Sequence, residues 1–463
     1  MKRSAPPSAN WILAASILGS GAVFLEGSVV SVALPSIGRD FGLAMSGLQW
    51  VLNGFLLTLS ALILLGGALG DRYSRARVFG LGLVGFAVSS VACGVAPNII
   101  VLVAARIAQG IAGALVVPNS LALLETTFHG EARGPAIGKW AAWSGISTAI
   151  GPLAGGSLVD AASWRFVFFL IVPFAAAAAW IAFRHEPHAT KQKRESSIDY
   201  TGAVLVTLSL SGLVAALIMG PDAGFTSAMV LALAVGGVGA LVAFVFVESR
   251  AANPLLPLDV FKSREFIGAN LNTLFVYAAL NGLFFLLMLQ LQNGLGYSAL
   301  RAGASLLPVN VLLLVLSPRA GRLSERIGAK IPMAVGSLLA AIGMLLFVRV
   351  KPGSTYLGAV IPALLVFGIG LGLLVAPLTA VALRSLGERR AGIASGVNNA
   401  TARLAGLLAA AAIPAAAGIG GAVQPRGAVL QSGFVKSTII SAVLCAIGAV
   451  VAALMIDAKK KRS

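Results

Sequence analysis

Fourteen times along the chain, an apolar stretch of roughly 20 residues ends in a short polar connection. A helix of about 20 residues spans a hydrocarbon core about 30 Å thick. The recurrence therefore dictates a chain that crosses a membrane repeatedly. The spans run approximately over 11–36, 48–70, 78–96, 99–123, 136–158, 164–183, 200–219, 227–247, 266–290, 303–318, 329–349, 356–378, 398–420 and 434–456. In lipid every backbone N–H and C=O must bond inside the protein, which leaves helices or a closed barrel. The period-2 alternation of a barrel is absent, so the fold class is all-α integral membrane. Only 11% of the 463 residues are charged, against about 25% in a soluble domain.

The net charge is +18. The cations sit between apolar runs, so the partner they imply is anionic membrane lipid and not nucleic acid. With the N-terminus placed in the cytoplasm, 25 of the 34 Lys and Arg fall on the cytoplasmic side and 7 on the outer side, with Arg106 and Arg403 inside spans. This is the positive-inside bias, and it puts both termini in the cytoplasm. The start, MKRSAPPSAN, is too polar and too short to precede a cleaved signal, so the first span is expected to be retained. Cys93 and Cys445 lie in apolar runs and read as small core residues, not a disulfide or metal pair. His185 and His188 flank Glu186 in the charged stretch 184–199, which reads as a solvated linker.

The two ends of the chain repeat one pattern. Gly67-Ala-Leu-Gly-Asp-Arg-Tyr-Ser follows span 2, and Gly321-Arg-Leu-Ser-Glu-Arg-Ile-Gly follows span 10. Span 4 holds Gly113-Ala-Leu-Val-Val-Pro118 and span 12 holds Gly372-Leu-Leu-Val-Ala-Pro377, an offset of 259. Spans 1–6 thus correspond to spans 9–14. The expected organisation is an N-terminal six-helix bundle over 1–183, linkers and two inserted helices over 184–265, and a C-terminal six-helix bundle with a basic tail over 266–463. Paired six-helix repeats are a transporter architecture, with substrate bound near the midplane.

The motifs add a resemblance. GALGDRYSRAR at 67–77, RIAQGIAGA at 106–114, GISTAIGPLAGG at 145–156, VALP at 32–35, WRFVFFLIVP at 164–173 and GIASGVNNATARLAG at 392–406 resemble signatures of the 14-span drug:proton antiporters of the major facilitator superfamily. Ser74 stands where that family usually has glycine, and Glu26 and Ser28 stand where it more often has aspartate and threonine. The resemblance implies a major facilitator fold of two six-helix bundles plus two extra helices. It implies that the loop with Gly67, Gly70, Asp71, Arg72 and Arg75 stabilises one of two alternating states. Gly151-Pro152 and Gly155-Gly156 of span 5 would form a bent, closely packed helix between the halves, of the kind associated with export.

Few ionisable residues lie at membrane depth. Glu26 is mid-span, and a carboxylate there costs on the order of 3 kcal/mol or more. Arg106 lies about 10 Å along span 4, by the rise of a helix, which places it at a depth comparable to Glu26. Glu125 stands near the inner end of span 4. Burial favours the neutral form of a carboxyl, so such a group can hold a proton at neutral pH and release it when a cation or water arrives. Glu26 is therefore read as a carboxyl that exchanges a proton for substrate or pairs with a cationic substrate, with Arg106 and Glu125 as further coupling residues. A fixed structural pair of Glu26 with Arg106 is the competing reading. Asn53, Gln109, Asn119, Trp143, Asn281 and Gln290 lie on spans expected to line a central cavity, or serve as helix–helix contacts.

The function expected is proton-coupled secondary export of small amphipathic compounds, lipophilic and including cations, by alternating access. A dedicated exporter of one metabolite or endogenous antibiotic is the alternative. No glycine-rich phosphate loop is present, and the acids and histidines do not cluster as an active site would require. An integral membrane enzyme is thus the remote reading, with no metal or cofactor expected. The protein is expected to be a multi-pass monomer of a plasma membrane, that of a bacterial inner membrane.

Overall fold

The computed structural model describes residues 7–129, 132–185, 199–251, 254–387, 390–423 and 425–457. Linker residues 186–198, Lys2, Arg3 and the basic run Lys459–Arg462 lie outside the described residues. The helices are α1 (Pro7–Phe41), α2 (Met45–Arg72), α3 (Arg75–Gly94), α4 (Ile99–Thr127), α5 (Arg133–Ala161), α6 (Phe166–Phe169), α7 (Ile171–Arg184), α8 (Tyr200–Ala223), α9 (Ala228–Arg250), α10 (Arg264–Leu289), α11 (Ala299–Ala304), α12 (Leu307–Ile327), α13 (Lys330–Leu346), α14 (Ile361–Arg384), α15 (Ala391–Ala416) and α16 (Gly427–Met455). Among the described residues the only β feature is an isolated bridge between Ala44 and Val423.

Each expected span falls on helix. Twelve of the helical stretches are long and apolar enough to cross a membrane. The helices over expected spans 5 and 13, α5 and α15, are long enough but fall short in apolarity. They are rich in Gly, Ala, Ser and Thr, which suit a helix packed on another helix rather than on lipid.

Side-chain caps start several helices. Ser74 accepts from Arg77 N at the start of α3, Asn98 from Val101 N at α4, and Ser263 from Phe266 N at α10. Such caps satisfy amides that have no intrahelical partner. Ser74 is extended, with φ −163°. Its hydroxyl therefore gives the loop a cap that glycine would lack.

The helices form two compact units. The first gathers residues up to Phe41, Trp50–Leu213 and Leu231–Leu255. Within it α1 packs on α4, α5 and α7, and α3 packs on α4 and α7. Pro152 lies inside α5, and the faces of Gly151 and Gly155 meet Ser28 and Val29 of α1. A side chain at Gly70 of α2 would collide with Asn119 of α4. At the end of α2, Asp71 pairs with Arg75 at 2.6 Å, and Arg75 also donates to Ala122 O of α4 at 3.0 Å. The helices α8 and α9 meet at Gly212 and Gly237.

The second unit gathers Gly42–Gln49, Val214–Val230 and the chain from Leu256 onward. Here α10 packs on α15 and α16, α12 on α14, and α13 on α14 and α16. Its glycine contacts reproduce those of the first unit. The Cβ position of Gly110 meets Phe55 and Thr58, and that of Gly368 meets Val309 and Leu312. Gly82 faces Ala112 O at 3.1 Å, and Gly336 faces Gly370 O at 2.7 Å. The α2 and α3 positions reappear at an offset of 254, as the motif match indicates. The α4 positions reappear in α14 at 258, one residue short of the 259 read from Gly113 and Pro118. Packing thus sets a register that the glycine–proline match misses by one.

Candidate functional site

The site lies inside the first unit. Glycine makes room for it: Gly54 of α2 sits 3.5 Å from Arg106 Cβ of α4, measured from its Cβ position. At that closeness Arg106 Nε reaches the carbonyl of Val51, at 2.9 Å. Arg106 Nη1 donates to Glu26 Oε1 of α1 and to Gln109 Oε1 one turn along α4, the latter at 2.6 Å. The guanidinium also lies 4.6 Å from the Phe55 ring centroid and 5.8 Å from that of Phe168. Aromatic faces stabilise a cation that water cannot reach.

Burial is complete. Glu26 is 0% exposed and Arg106 1% exposed. Desolvating two charges is expensive, and their attraction offsets it only where the remaining polar atoms are satisfied. Arg106 meets that condition with two acceptors beyond the carboxylate. Glu26 does not: its Oε2 is buried and has no hydrogen-bond partner. The pair therefore leaves one buried carboxylate oxygen without a partner.

Gln109 is fully buried and uses both ends of its amide. Its Nε2 donates to Ser90 Oγ of α3 at 2.8 Å, and Ser90 Oγ donates to Phe86 O at 2.7 Å. The Cys93 thiol lies 3.8 Å from Gln109 Oε1.

Of the other expected residues, Glu125, Asn119, Asn281 and Gln290 bond elsewhere. Glu125 pairs with Arg133 at 2.7 Å at the exposed C-terminal end of α4. Asn119 donates to Gly66 O and Leu115 O, both at 2.8 Å, and so closes the crossing of α2 on α4. Trp143 on α5 is half exposed. Asn53 is fully buried, and neither atom of its amide has a partner. In the second unit, Asn281 donates to Tyr277 O at 2.8 Å and packs against Gly406. Gln290 donates to Gln431 at 2.7 Å where α10 ends in a π-turn.

The first unit also contains a second polar chain that sequence reasoning missed. Trp140 Nε1 donates to Ser20 Oγ at 2.9 Å, and Ser20 Oγ donates to Ser120 Oγ at 2.6 Å. Ser90 was missed as well, whereas Cys93, read as a small core residue, is indeed buried and unbridged. The spacing of Arg106 and Gln109, one turn apart on one helix face, was the available signal for their contact.

Among the described residues no group of three or more His, Cys, Asp or Glu is placed to hold a metal. Fold and site together define a multi-pass helical membrane protein with a buried ion pair inside a repeated bundle. The family model of the Major Facilitator Superfamily matches residues 16–410. The chain belongs to that superfamily, whose members are transporters rather than enzymes. It is 34% identical to the "Multidrug resistance protein Stp" of Mycobacterium tuberculosis (strain CDC 1551 / Oshkosh), over 84% of this chain and 72% of that one. It is 33% identical to the "Tetracenomycin C resistance and export protein" of Streptomyces glaucescens, over 87% of this chain and 74% of that one. Among solved structures, an auto-inhibited POT family peptide transporter aligns with a TM-score of 0.66 over 97% of this chain and 96% of that one, at 13% identity. That likeness concerns the fold.

Proposed function

We propose that the protein exports small amphipathic compounds in exchange for protons, by alternating access of its two halves, with Glu26 as the exchanging carboxyl. The observation that carries the reading is Glu26 Oε2, a buried carboxyl oxygen with no partner beside a carboxyl oxygen held by Arg106. A fixed structural pair would be expected to satisfy both oxygens. Protonation of Glu26 removes one charge and leaves Arg106 bonded to Val51 O and Gln109. Relatives named for multidrug resistance and for tetracenomycin C resistance and export support export of drug-like small molecules, which in this reading are lipophilic and include cations. The tetracenomycin relative also supports the second reading, export of a single antibiotic.

In this reading all fourteen helical stretches cross the membrane, with both termini cytoplasmic, and α8 and α9 are an insertion between six-helix bundles over 1–183 and 266–463. The protein works as a monomer in a bacterial inner membrane rich in anionic lipid. Glu125, paired at the surface, is the second candidate for proton coupling. Asn53, Trp143, Asn281 and Gln290 are offered as substrate contacts, and Asn119 and the Gly67–Arg75 loop as conformational elements.

The test is proton release from purified protein in detergent on adding tetraphenylphosphonium, puromycin or tetracenomycin C. Wild type is expected to release protons with at least one of them, and Glu26→Gln with none. Release that survives Glu26→Gln and falls in Glu125→Gln would move the coupling site to Glu125. Binding without release in wild type would overturn proton exchange.

A further inference from the structure

The ion pair cannot work as a proton site if Arg106 simply follows Glu26. A guanidinium released from a neutralised carboxyl would be left buried with unused donors. What holds it is visible on the other side of the pair. Gln109 Oε1 accepts from the same Nη1 that binds Glu26, at 2.6 Å. Gln109 is itself held through Nε2 by Ser90 Oγ at 2.8 Å, and Ser90 is anchored on Phe86 O at 2.7 Å. The chain Phe86–Ser90–Gln109–Arg106 thus runs from the backbone of α3 to the guanidinium without touching Glu26.

We infer that Gln109, fixed by Ser90, is the positioning residue that shares Arg106 with Glu26 and thereby sets the proton affinity of the Glu26 carboxyl. The inference rests on the reading of Glu26 as the exchanging group. Gln109 offers Arg106 a neutral acceptor, so part of the guanidinium's hydrogen bonding is spent away from the carboxylate. An apolar residue at 109 would turn Arg106 fully to Glu26, favour the carboxylate and demand a lower pH for protonation. A second carboxylate at 109 would compete for Arg106 and repel Glu26, so protonation would occur at higher pH.

The charged and titratable surroundings allow a clean reading. Among the described residues, those at the pair are Arg106 of α4 and the Cys93 thiol of α3. The helices packed on α1 carry their other charges near their ends, Glu125 on α4, Arg133, Lys139 and Asp160 on α5, and Arg184 on α7, and α3, which supplies Ser90 and Cys93, carries Arg75 and Arg77 at its start. On α2 they are Asp71 and Arg72, and on α1 itself Arg39 and Asp40.

The experiment needs no substrate. The infrared C=O band of the protonated Glu26 carboxyl is titrated in full-length protein, each background referenced to the same protein carrying Glu26→Gln. Gln109→Leu should lower the midpoint by about one pH unit, and Gln109→Glu should raise the upper midpoint by at least as much, in keeping with the effect of one nearby charge. Ser90→Ala should move it in the direction of Gln109→Leu by less. Opposite shifts from one position are not what a packing role produces. Midpoints that stay put, or that move the same way in both Gln109 variants, would overturn the inference. If neither Gln109 variant folds, an unmoved midpoint in Ser90→Ala overturns it. Failure of substrate-driven release in wild type, with the infrared shifts present, would instead strike the export reading alone.

Discussion

Arg106 of α4 and Leu364 of α14 occupy the same place in two copies of one helix crossing. The register that pairs Gly110 with Gly368 also pairs Gln109 with Phe367, and that of α3 and α13 pairs Ser90 with Met344 and Cys93 with Phe347. All four residues of the second unit are fully buried. Its α10 carries no acid beyond the first turn. One unit therefore fills this position with hydrocarbon, and the other fills it with an ion pair and an amide. The second unit packs the same crossing without such charges. Buried ionic groups are often replaceable by apolar residues at no loss of stability. This contrast supports the proposal that the pair in the first unit serves transport and not packing.

The largest expected effect tests that difference directly. Arg106→Leu alone strands a buried carboxyl and should cost about 3–5 kcal/mol of stability. Adding Glu26→Leu makes the first unit resemble the second, and should recover most of the melting temperature in detergent. Substrate-driven proton release should stay abolished in both variants. A double variant as unstable as the single one would mean that the pair supports the fold, and the comparison would break.

A smaller effect sharpens the shared part. A methyl at Gly110 would meet the Phe55 carbonyl and Thr58 Oγ1, which are held by helix backbone. A methyl at Gly368 would first meet Leu312 Cδ1, at 2.8 Å, which can turn away. Overpacking typically costs about 1–3 kcal/mol. Gly110→Ala should fall at the upper end and Gly368→Ala at the lower end, read by thermal unfolding. Equal losses would show that the two crossings are tighter copies of one another than these contacts indicate.

How much of this was legible in the sequence follows from how each residue signals itself. Glu26 and Arg106 stand out because a charge inside an apolar run has no bland explanation. Their depth could be estimated from helix rise alone. Ser90 and Cys93 gave no such signal. A serine in a membrane helix commonly bonds the carbonyl one turn back, as Ser90 does with Phe86, so its second bond to Gln109 was invisible. Asn119 read either as a cavity residue or as a helix–helix contact because polarity says nothing about direction, and only the structure turns it onto Gly66 and Gly70. The fold was read further than the site, because spans need only length and apolarity. Even there α5 and α15 fall below the apolarity of the other twelve, since packing on helices relaxes the demand for it.

The smallest effect contrasts the arginines at the start of α5 and just before α15. Arg133 opens α5 and binds Glu125, whereas Arg390 immediately precedes α15 and binds Asp259 of the segment before α10. An arginine at the start of the helix thus clasps a helix end in one unit and a connecting segment in the other. The hydrogen bond from Arg390 holds the Asp259 carboxyl below its ordinary value of 3.8. A carboxyl depressed in the folded state stabilises it above the ordinary value and loses that contribution as pH falls through the depressed one. The pair is exposed, so the contribution is small and screened by salt. Asp259→Asn should therefore lower the melting temperature slightly at pH 6 and low ionic strength. The difference should shrink at high salt and close as the pH is taken below 3.8. A difference that persists in acid could not come from the carboxylate. It would instead assign the clasp to packing of Val260 against Phe266 and Ala394, a cluster that holds the same connecting segment by apolar contact.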